Sequence, residues 1–202
     1  MPIADALPGS AIQKLTVYVN LLKRWKNVTN LISAQSFEQV WQRHIEDSIR
    51  LQRVSPRSRV WLDVGSGAGF PAIVIGVLLS AIDGAQVHCV ESDGRKCAFL
   101  RTVVEILQIP VKVHQSRIEA LSPDTIQNVE VVTARAFSSL VHILTVTQDY
   151  LDKGAVAVLP RGRSSLREVE ALDTSRYIVT VTTDPTHSDG VILHIQKRGR
   201  EL

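Results

Sequence analysis

Hydrophobic positions over the first sixty residues recur every three to four places. Ile12, Leu15, Val19, Leu22 and Trp25 make one apolar stripe, which predicts an amphipathic helix. A second helix is predicted from about Ser36, because Ser36 and Gln39 have capping-box spacing and Val40, Trp41, Ile45, Ser48 and Ile49 fall on one face. From Val60 the period changes. Short β-branched runs at Val60–Val64, Val87–Glu91, Val111–Gln115, Val129–Ala134 and Ala155–Leu159 alternate with helical stretches at Pro71–Ala81, Asp93–Leu107, weakly near Glu119, and Ser138–Leu151. After Arg163 another helix is predicted, with Ser165 and Glu168 at capping-box spacing. Two final strands, Tyr177–Thr183 and Val191–Gln196, read as a hairpin closing through residues 184–190.

Strands alternating with helices imply an α/β fold with a doubly wound, mostly parallel sheet of about seven strands, the last antiparallel. No Gly/Ser/Pro linker sets the front apart. Residues 1–58 are therefore read as a helical extension packed on a core domain spanning 59–202, one structural domain in all. The composition supports a packed core: of 202 residues, 45% are hydrophobic and 21% charged, which excludes a disordered or low-complexity chain.

Charge changes the picture only at the front end. Residues 1–60 hold nine Lys/Arg against four Asp/Glu, while the chain as a whole carries +3. The surplus suits a polyanion partner or a merely solvated helical face, and charge alone does not separate the two. Cys89 and Cys97 sit in apolar segments and read as buried thiols. The six histidines are scattered and no Cys/His group has ligand spacing, so no metal is expected. The longest apolar run, Phe70–Ile82, falls short of the roughly 20 residues that span a bilayer. With no export signal at the start, a cytoplasmic protein without a membrane partner is expected.

The candidate chemistry begins where the first strand ends, in Asp63-Val64-Gly65-Ser66-Gly67-Ala68-Gly69-Phe70-Pro71. In open α/β sheets ligands bind outside the carboxyl ends of the strands, which makes this turn the expected ligand floor. A dinucleotide fingerprint needs its third glycine at position 70, where Phe70 stands, and no Walker lysine follows. The run instead fits the D-x-G-x-G-x-G pattern of S-adenosylmethionine-dependent methyltransferases. Asp63 suits the cofactor's amino end, and Glu91, closing the second strand, suits its ribose hydroxyls. Neither cysteine follows a proline, which disfavours cytosine C5 chemistry. Ala134-Arg135-Ala136-Phe137 replaces the Asn/Asp-Pro-Pro-aromatic run usual for exocyclic amines. Guanine N7 has a free lone pair and needs no base, and a site rich in arginine is compatible with it.

Five stretches together resemble the small-subunit ribosomal RNA guanine-N7 methyltransferases, the glucose-inhibited division protein B family, over nearly the whole chain. They are Trp25 through Asn30-Leu31, Arg43-His44-Ile45-Glu46-Asp47-Ser48, the Asp63–Pro71 loop, Gln115-Ser116-Arg117-Ile118-Glu119, and Arg135-Ala136-Phe137. The resemblance implies a seven-stranded, Rossmann-like class I methyltransferase fold that modifies one guanosine of the decoding-region loop of 16S rRNA. It implies cofactor contacts at Gly65, Phe70, Ile118, Glu119 and Arg135, to which the loop itself adds Asp63, Ser66, Gly67 and Gly69, and the ribose argument adds Glu91. Arg161 and Arg163, after the fifth strand, are candidates to hold RNA, as are Arg43, His44 and Asp47. No catalytic residue is assigned beyond Arg135 and Arg161 as candidates. Lys23, Arg24 and Lys26 form a possible phosphate patch, and Lys197, Arg198 and Arg200 a diffuse one. The chain departs from the family at Ile32, where Thr is frequent, and at Arg161-Gly162, where Lys-Gly is frequent. Arginine keeps the charge with different hydrogen-bond geometry. The implied partner is 16S rRNA or the 30S subunit, approached by a monomer. Two other readings stay open on the residues alone: a methyltransferase of another RNA or small molecule, and a non-catalytic RNA-binding assembly factor.

Overall fold

The computed structural model describes residues 7–25, 31–135, 138–183 and 190–199. Seven strands among them form one sheet in the order β3-β2-β1-β4-β5-β7-β6. β1 (Val60–Val64), β2 (Gln86–Glu91), β3 (Val111–Gln115), β4 (Val131–Thr133) and β5 (Val156–Gly162) run parallel. β6 (Tyr177–Thr183) and β7 (Gly190–Lys197) pair antiparallel as expected, and β7, the later strand, docks antiparallel on β5. The residues joining β6 to β7, 184–189, lie outside the described part, as do 26–30, 136–137 and 200–202.

The central strands read as unbroken apolar runs because both their faces are covered. Trp61, Val87, Cys89, Val131 and Val158 point into one layer with α1 (Gly9–Trp25), α3 (Glu46–Val54), α4 (Ala72–Leu78) and α5 (Gly94–Leu107). Leu62, Val64, Val90, Val132 and Leu159 point into the other, under α6 (Leu140–Val146) and α7 (Gln148–Asp152). Leu15, Leu22, Ile45 and Ile49 are at most 1% exposed and belong to the first layer. Burial at about 1.5–3 kcal/mol for each such side chain ties the helices before residue 59 to the sheet. Gly76 lets α4 lie close on β3, since a Cβ there would lie 2.3 Å from Val111 Cγ2.

Several predicted boundaries are corrected by tertiary contacts. The N-cap of α2 (Ala34–Glu38) is Ser33, whose side chain accepts from the Ser36 N–H; Ser36 lies inside the helix. The chain then passes through a π-helical turn, Trp41–Ile45, before α3. Pro71 sits at the N-cap of α4 rather than within its first turn. The stretch predicted as one helix to Leu151 breaks at Thr147, whose hydroxyl donates to the Ile143 carbonyl. Ser165 makes no side-chain cap ahead of α8 (Leu166–Glu170), and Glu168 accepts instead from the Leu140 N–H at 2.6 Å. The buried line of α1 is Ala11, Leu15, Tyr18, Leu21 and Leu22, while Ile12, Val19 and Trp25 are only half-buried. No helix among the described residues is long and apolar enough to cross a membrane.

Candidate functional site

The strand order reverses between β1 and β4, and the crevice at the carboxyl ends of those strands is where open α/β sheets bind ligands. The glycine loop leaves β1 here with Gly65, Gly67 and Gly69 all at positive φ, a conformation that L side chains adopt only under strain. The loop is stitched to β2. Gly65 N–H and Ser66 N–H both donate to the Val90 carbonyl, at 2.8 and 3.2 Å, and Gly67 N–H donates to Glu91 Oε2 at 2.9 Å. Glu91 Oε1 accepts from Asp93 N–H at 2.9 Å. Each carboxylate oxygen retains a second lone pair, so Glu91 shapes the loop and can still accept from a hydroxyl pair.

Around this loop the fold gathers polar atoms that nothing satisfies. Asp63 is fully buried, and neither of its carboxylate oxygens has a hydrogen-bond partner among the described residues. Thr133, its register neighbour on β4, is also fully buried with its hydroxyl unpartnered. Arg135 follows β4. Its Nη2 donates to the Arg43 carbonyl at 2.8 Å and lies 3.8 Å from Asp47 Oδ2, while Nη1 is buried without a partner among the described residues. Buried polar groups are almost always paired, and an orphan costs about 1–3 kcal/mol. Four such atoms, on three side chains at one strand switch, would suit a ligand that carries charge of both signs.

The N-terminal helices complete the wall. His44, on the π-helical turn, stacks on Phe70 of the loop with centroids 4.8 Å apart and planes 23° apart, and both its ring nitrogens are buried without partners among the described residues. Burial, then the charges of Arg135 and Arg43, lower its pKa to about 4, so the ring is neutral at physiological pH. Asp47 lies 3.2 Å from Arg50 as well as beside Arg135, and thereby orients that guanidinium. Arg43 contributes its carbonyl to Arg135 and leaves its side chain exposed. Tyr18, which the sequence reading passed over, packs against Phe70 at 5.2 Å and donates to the Ala68 carbonyl.

Ile118, buried, and Glu119, half exposed, form a 3₁₀ turn after β3, with Glu119 Oε1 3.5 Å from His142 Nε2. Arg161, within β5 rather than after it as expected, because the strand runs on to Gly162, donates from Nη1 to the Ser138 carbonyl at 2.8 Å and holds Nε and Nη2 buried without acceptors among the described residues. Arg163 is exposed on the next turn. Lys23 and Arg24 are exposed at the end of α1, whereas Lys26 lies outside the described residues. Lys197 pairs with Asp152, and Arg198 Nε donates to the Thr174 carbonyl. Those two tail charges are thus partly engaged within the fold, and Arg200 lies outside the described residues. Cys89 and Cys97 are buried, and burial raises both thiols, which removes them as nucleophiles.

Burial, with the Glu91 charge adding to it, pushes the Asp63 pKa up to about 7 against the pull of the Arg135 charge. A carboxyl whose folded pKa lies above its unfolded value binds more protons folded than unfolded. Stability is therefore lost as pH rises from about 4 through about 7. Asp63→Asn is expected to raise Tm at pH 8 by ~3–8 °C and to leave it unchanged near pH 4. A variant less stable than the parent at pH 8 would show that the carboxylate is satisfied internally.

Comparison with known proteins adds what the geometry leaves open. The family model GidB, described as rRNA small subunit methyltransferase G, matches residues 11–189. The chain belongs to that family. The ribosomal RNA small subunit methyltransferase G of Methylorubrum populi is 35% identical over 189 residues, covering 93% of this chain and 89% of the relative. An rRNA methylase from Streptococcus thermophilus shares the fold at a TM-score of 0.56 and 13% identity, over 78% of this chain and 98% of that one. The N-terminal domain of human METTL16, solved in complex with SAH, aligns at 0.52 and 14% identity, over 75% of this chain and 69% of that one. As a member of the rRNA small subunit methyltransferase G family the chain is a methyltransferase, with S-adenosylmethionine as cofactor.

Proposed function

We propose that this chain transfers a methyl group from S-adenosylmethionine to N7 of a guanine in the decoding-region loop of 16S rRNA, acting as a cytoplasmic monomer on the rRNA or the small subunit. The observation that carries the cofactor assignment is the orphaned pair at the strand switch, the Asp63 carboxylate and Arg135 Nη1. A zwitterionic amino-acid end matches it charge for charge. Asp63, with the Thr133 hydroxyl, would hold the ammonium, and Arg135 the carboxylate. Glu91 would accept from the ribose hydroxyls and Ile118-Glu119 would read the adenine edge, one through a backbone amide and one through a carboxylate. Gly65, Ser66, Gly67, Gly69 and Phe70 form the floor.

The bound cofactor supplies an electrophilic sulfonium methyl. The chain's residues position what attacks it. Guanine N7 presents a lone pair and loses no proton, so the neutral His44 need not serve as a base, and in-line placement carries the catalysis. His44 and Phe70, already stacked, give a flat wall on the side from which a base would enter. Arg161, Arg163 and Arg43 would grip the RNA, and the helices before residue 59 would supply its docking face.

The decisive experiment is incubation with labelled S-adenosylmethionine and 16S rRNA from a strain lacking the modification, followed by mapping of the product base. Label at one guanine N7 is the expected result, and label elsewhere or nowhere refutes the reading. Affinity for rRNA should fall steeply with salt, as phosphate contacts require.

A further inference from the structure

We infer that Tyr18 is a positioning residue for methyl transfer, a clamp by which helix α1 holds the glycine loop in its cofactor-ready shape; this rests on the cofactor reading above. Within the loop and at its exit, Ser66 Oγ donates to the Asp63 carbonyl and the Ile73 N–H to the loop's Gly69 carbonyl. The loop's amides are tied to β2 and to each other, through Val90 O, Glu91 Oε2 and the 2.7 Å bond from Gly69 N–H to Ser66 O. The carbonyl at its tip, Ala68 O, is held from outside the loop altogether. Tyr18 Oη, fifty residues earlier in the chain, donates to it at 2.7 Å.

The clamp is built to be rigid. Tyr18 is 0% exposed, and its ring is fixed between Phe70, at 5.2 Å, and Phe99, at 6.4 Å. Phe99 is in turn braced by Trp25 from the end of the same helix, at 5.6 Å. The hydroxyl also stands 3.2 Å from where a Cβ would lie on Gly69, so it closes over the residue with the loop's largest positive φ. Burial, with Cys89 next, raises the phenol well above its usual pKa, which keeps the donated proton in place at any pH the protein tolerates.

Removing the hydroxyl leaves the carbonyl of Ala68, a buried residue, without its donor. The loop then relaxes to shapes that satisfy Ala68 O elsewhere, and the cofactor binds only the remaining competent fraction. Apparent affinity falls by that fraction, with no contact to the cofactor lost.

The test compares Tyr18→Phe, which keeps both ring contacts, with Leu21→Ala, a packing change on the same buried line of α1. For Tyr18→Phe, the Kd for SAH by calorimetry and the KM for S-adenosylmethionine should rise by ~3- to 10-fold, while kcat at saturating cofactor and the KM for rRNA stay at parental values. Leu21→Ala should lower Tm at least as much and leave the SAH affinity unchanged. Amide hydrogen exchange at Gly67 and Gly69 in the free protein should quicken in Tyr18→Phe alone. Parental exchange in that variant, or equal affinity losses in the two variants, overturns the clamp. Faster exchange in a protein whose parent fails to bind SAH would sink the cofactor reading and leave the clamp standing.

Discussion

Gly69→Ala is expected to abolish measurable SAH binding and to lower Tm by ~6–12 °C. The backbone at Gly69 has φ +99°, and the added Cβ would lie 2.5 Å from Ile73 Cγ1 and 2.9 Å from Leu100 Cδ2. Neither neighbour can yield easily, because Ile73 and Leu100 are both 0% exposed within the layer shared by α1, α4 and α5. Moving them means repacking a dense core, which costs about 1–3 kcal/mol on top of the strain at positive φ. The loop's other escape is to lift away from α4, and that opens the floor on which the cofactor would lie. Gly67→Ala is the contrast. At φ +56° its Cβ meets nothing closer than Gly65 O at 3.8 Å, so only backbone strain of roughly 1 kcal/mol is added. Circular dichroism melts and SAH calorimetry on the two variants separate crowding from strain. Equal behaviour of the two would mean that the loop tolerates displacement and does not define the site.

The elements that the sequence predicted well are those whose signal is local. β1, β3 and β6 begin and end as their β-branched runs do, and the glycine run announced its turn because no other residue type tolerates three positive φ values in five positions. Where a side chain had two uses, local pattern failed. Ser33 and Ser36 both suit an N-cap, and Ser33 has it because its backbone is extended while Ser36 is already helical. Glu168 has capping-box spacing from Ser165 but serves the amide of Leu140, twenty-eight residues away, which no window of the sequence contains.

The candidate site divides along the same line. Asp63 and Glu91 were legible because strand ends and spacing place them. His44 and Asp47 are candidates to hold RNA on the sequence, and only the packing of the π-helical turn against the loop brings His44 onto Phe70 and Asp47 beside Arg135. Tyr18 and Thr133 gave no sign at all. A tyrosine in an apolar stripe and a threonine in a strand are ordinary core and β-sheet residues, and their hydroxyls matter only through partners fifty or more positions away or through the lack of one. The one available signal was a polar atom at a position the periodicity buries.

Arg161→Ala should lower kcat/KM for rRNA by ~10- to 100-fold and leave SAH affinity within about twofold of the parent. One nitrogen of the guanidinium, Nη1, is spent on the Ser138 carbonyl, which fixes the plane of the fork. The other two, Nε and Nη2, are buried with no acceptor among the described residues, and that burial depresses the side chain's pKa against the counter-pull of Glu168. A cation held with unused donors at the strand end is arranged for an anionic or carbonyl oxygen that arrives with a ligand. Arg161 lies one residue before the end of β5 and Asp63 one residue before the end of β1, with β4 between those strands, so such an oxygen would belong to the acceptor rather than to the cofactor. Arg161→Lys sharpens the point. It restores charge without the fork, and recovery of binding but not of rate would assign the residue to orientation, since only the fork fixes two bonds at once. If Arg161 meets a phosphate, the alanine variant should also reduce the slope of log affinity against log salt by about 1. An unchanged slope with lowered rate would move its partner from the backbone to the base itself, and matched losses of SAH and RNA affinity would move it into the cofactor site.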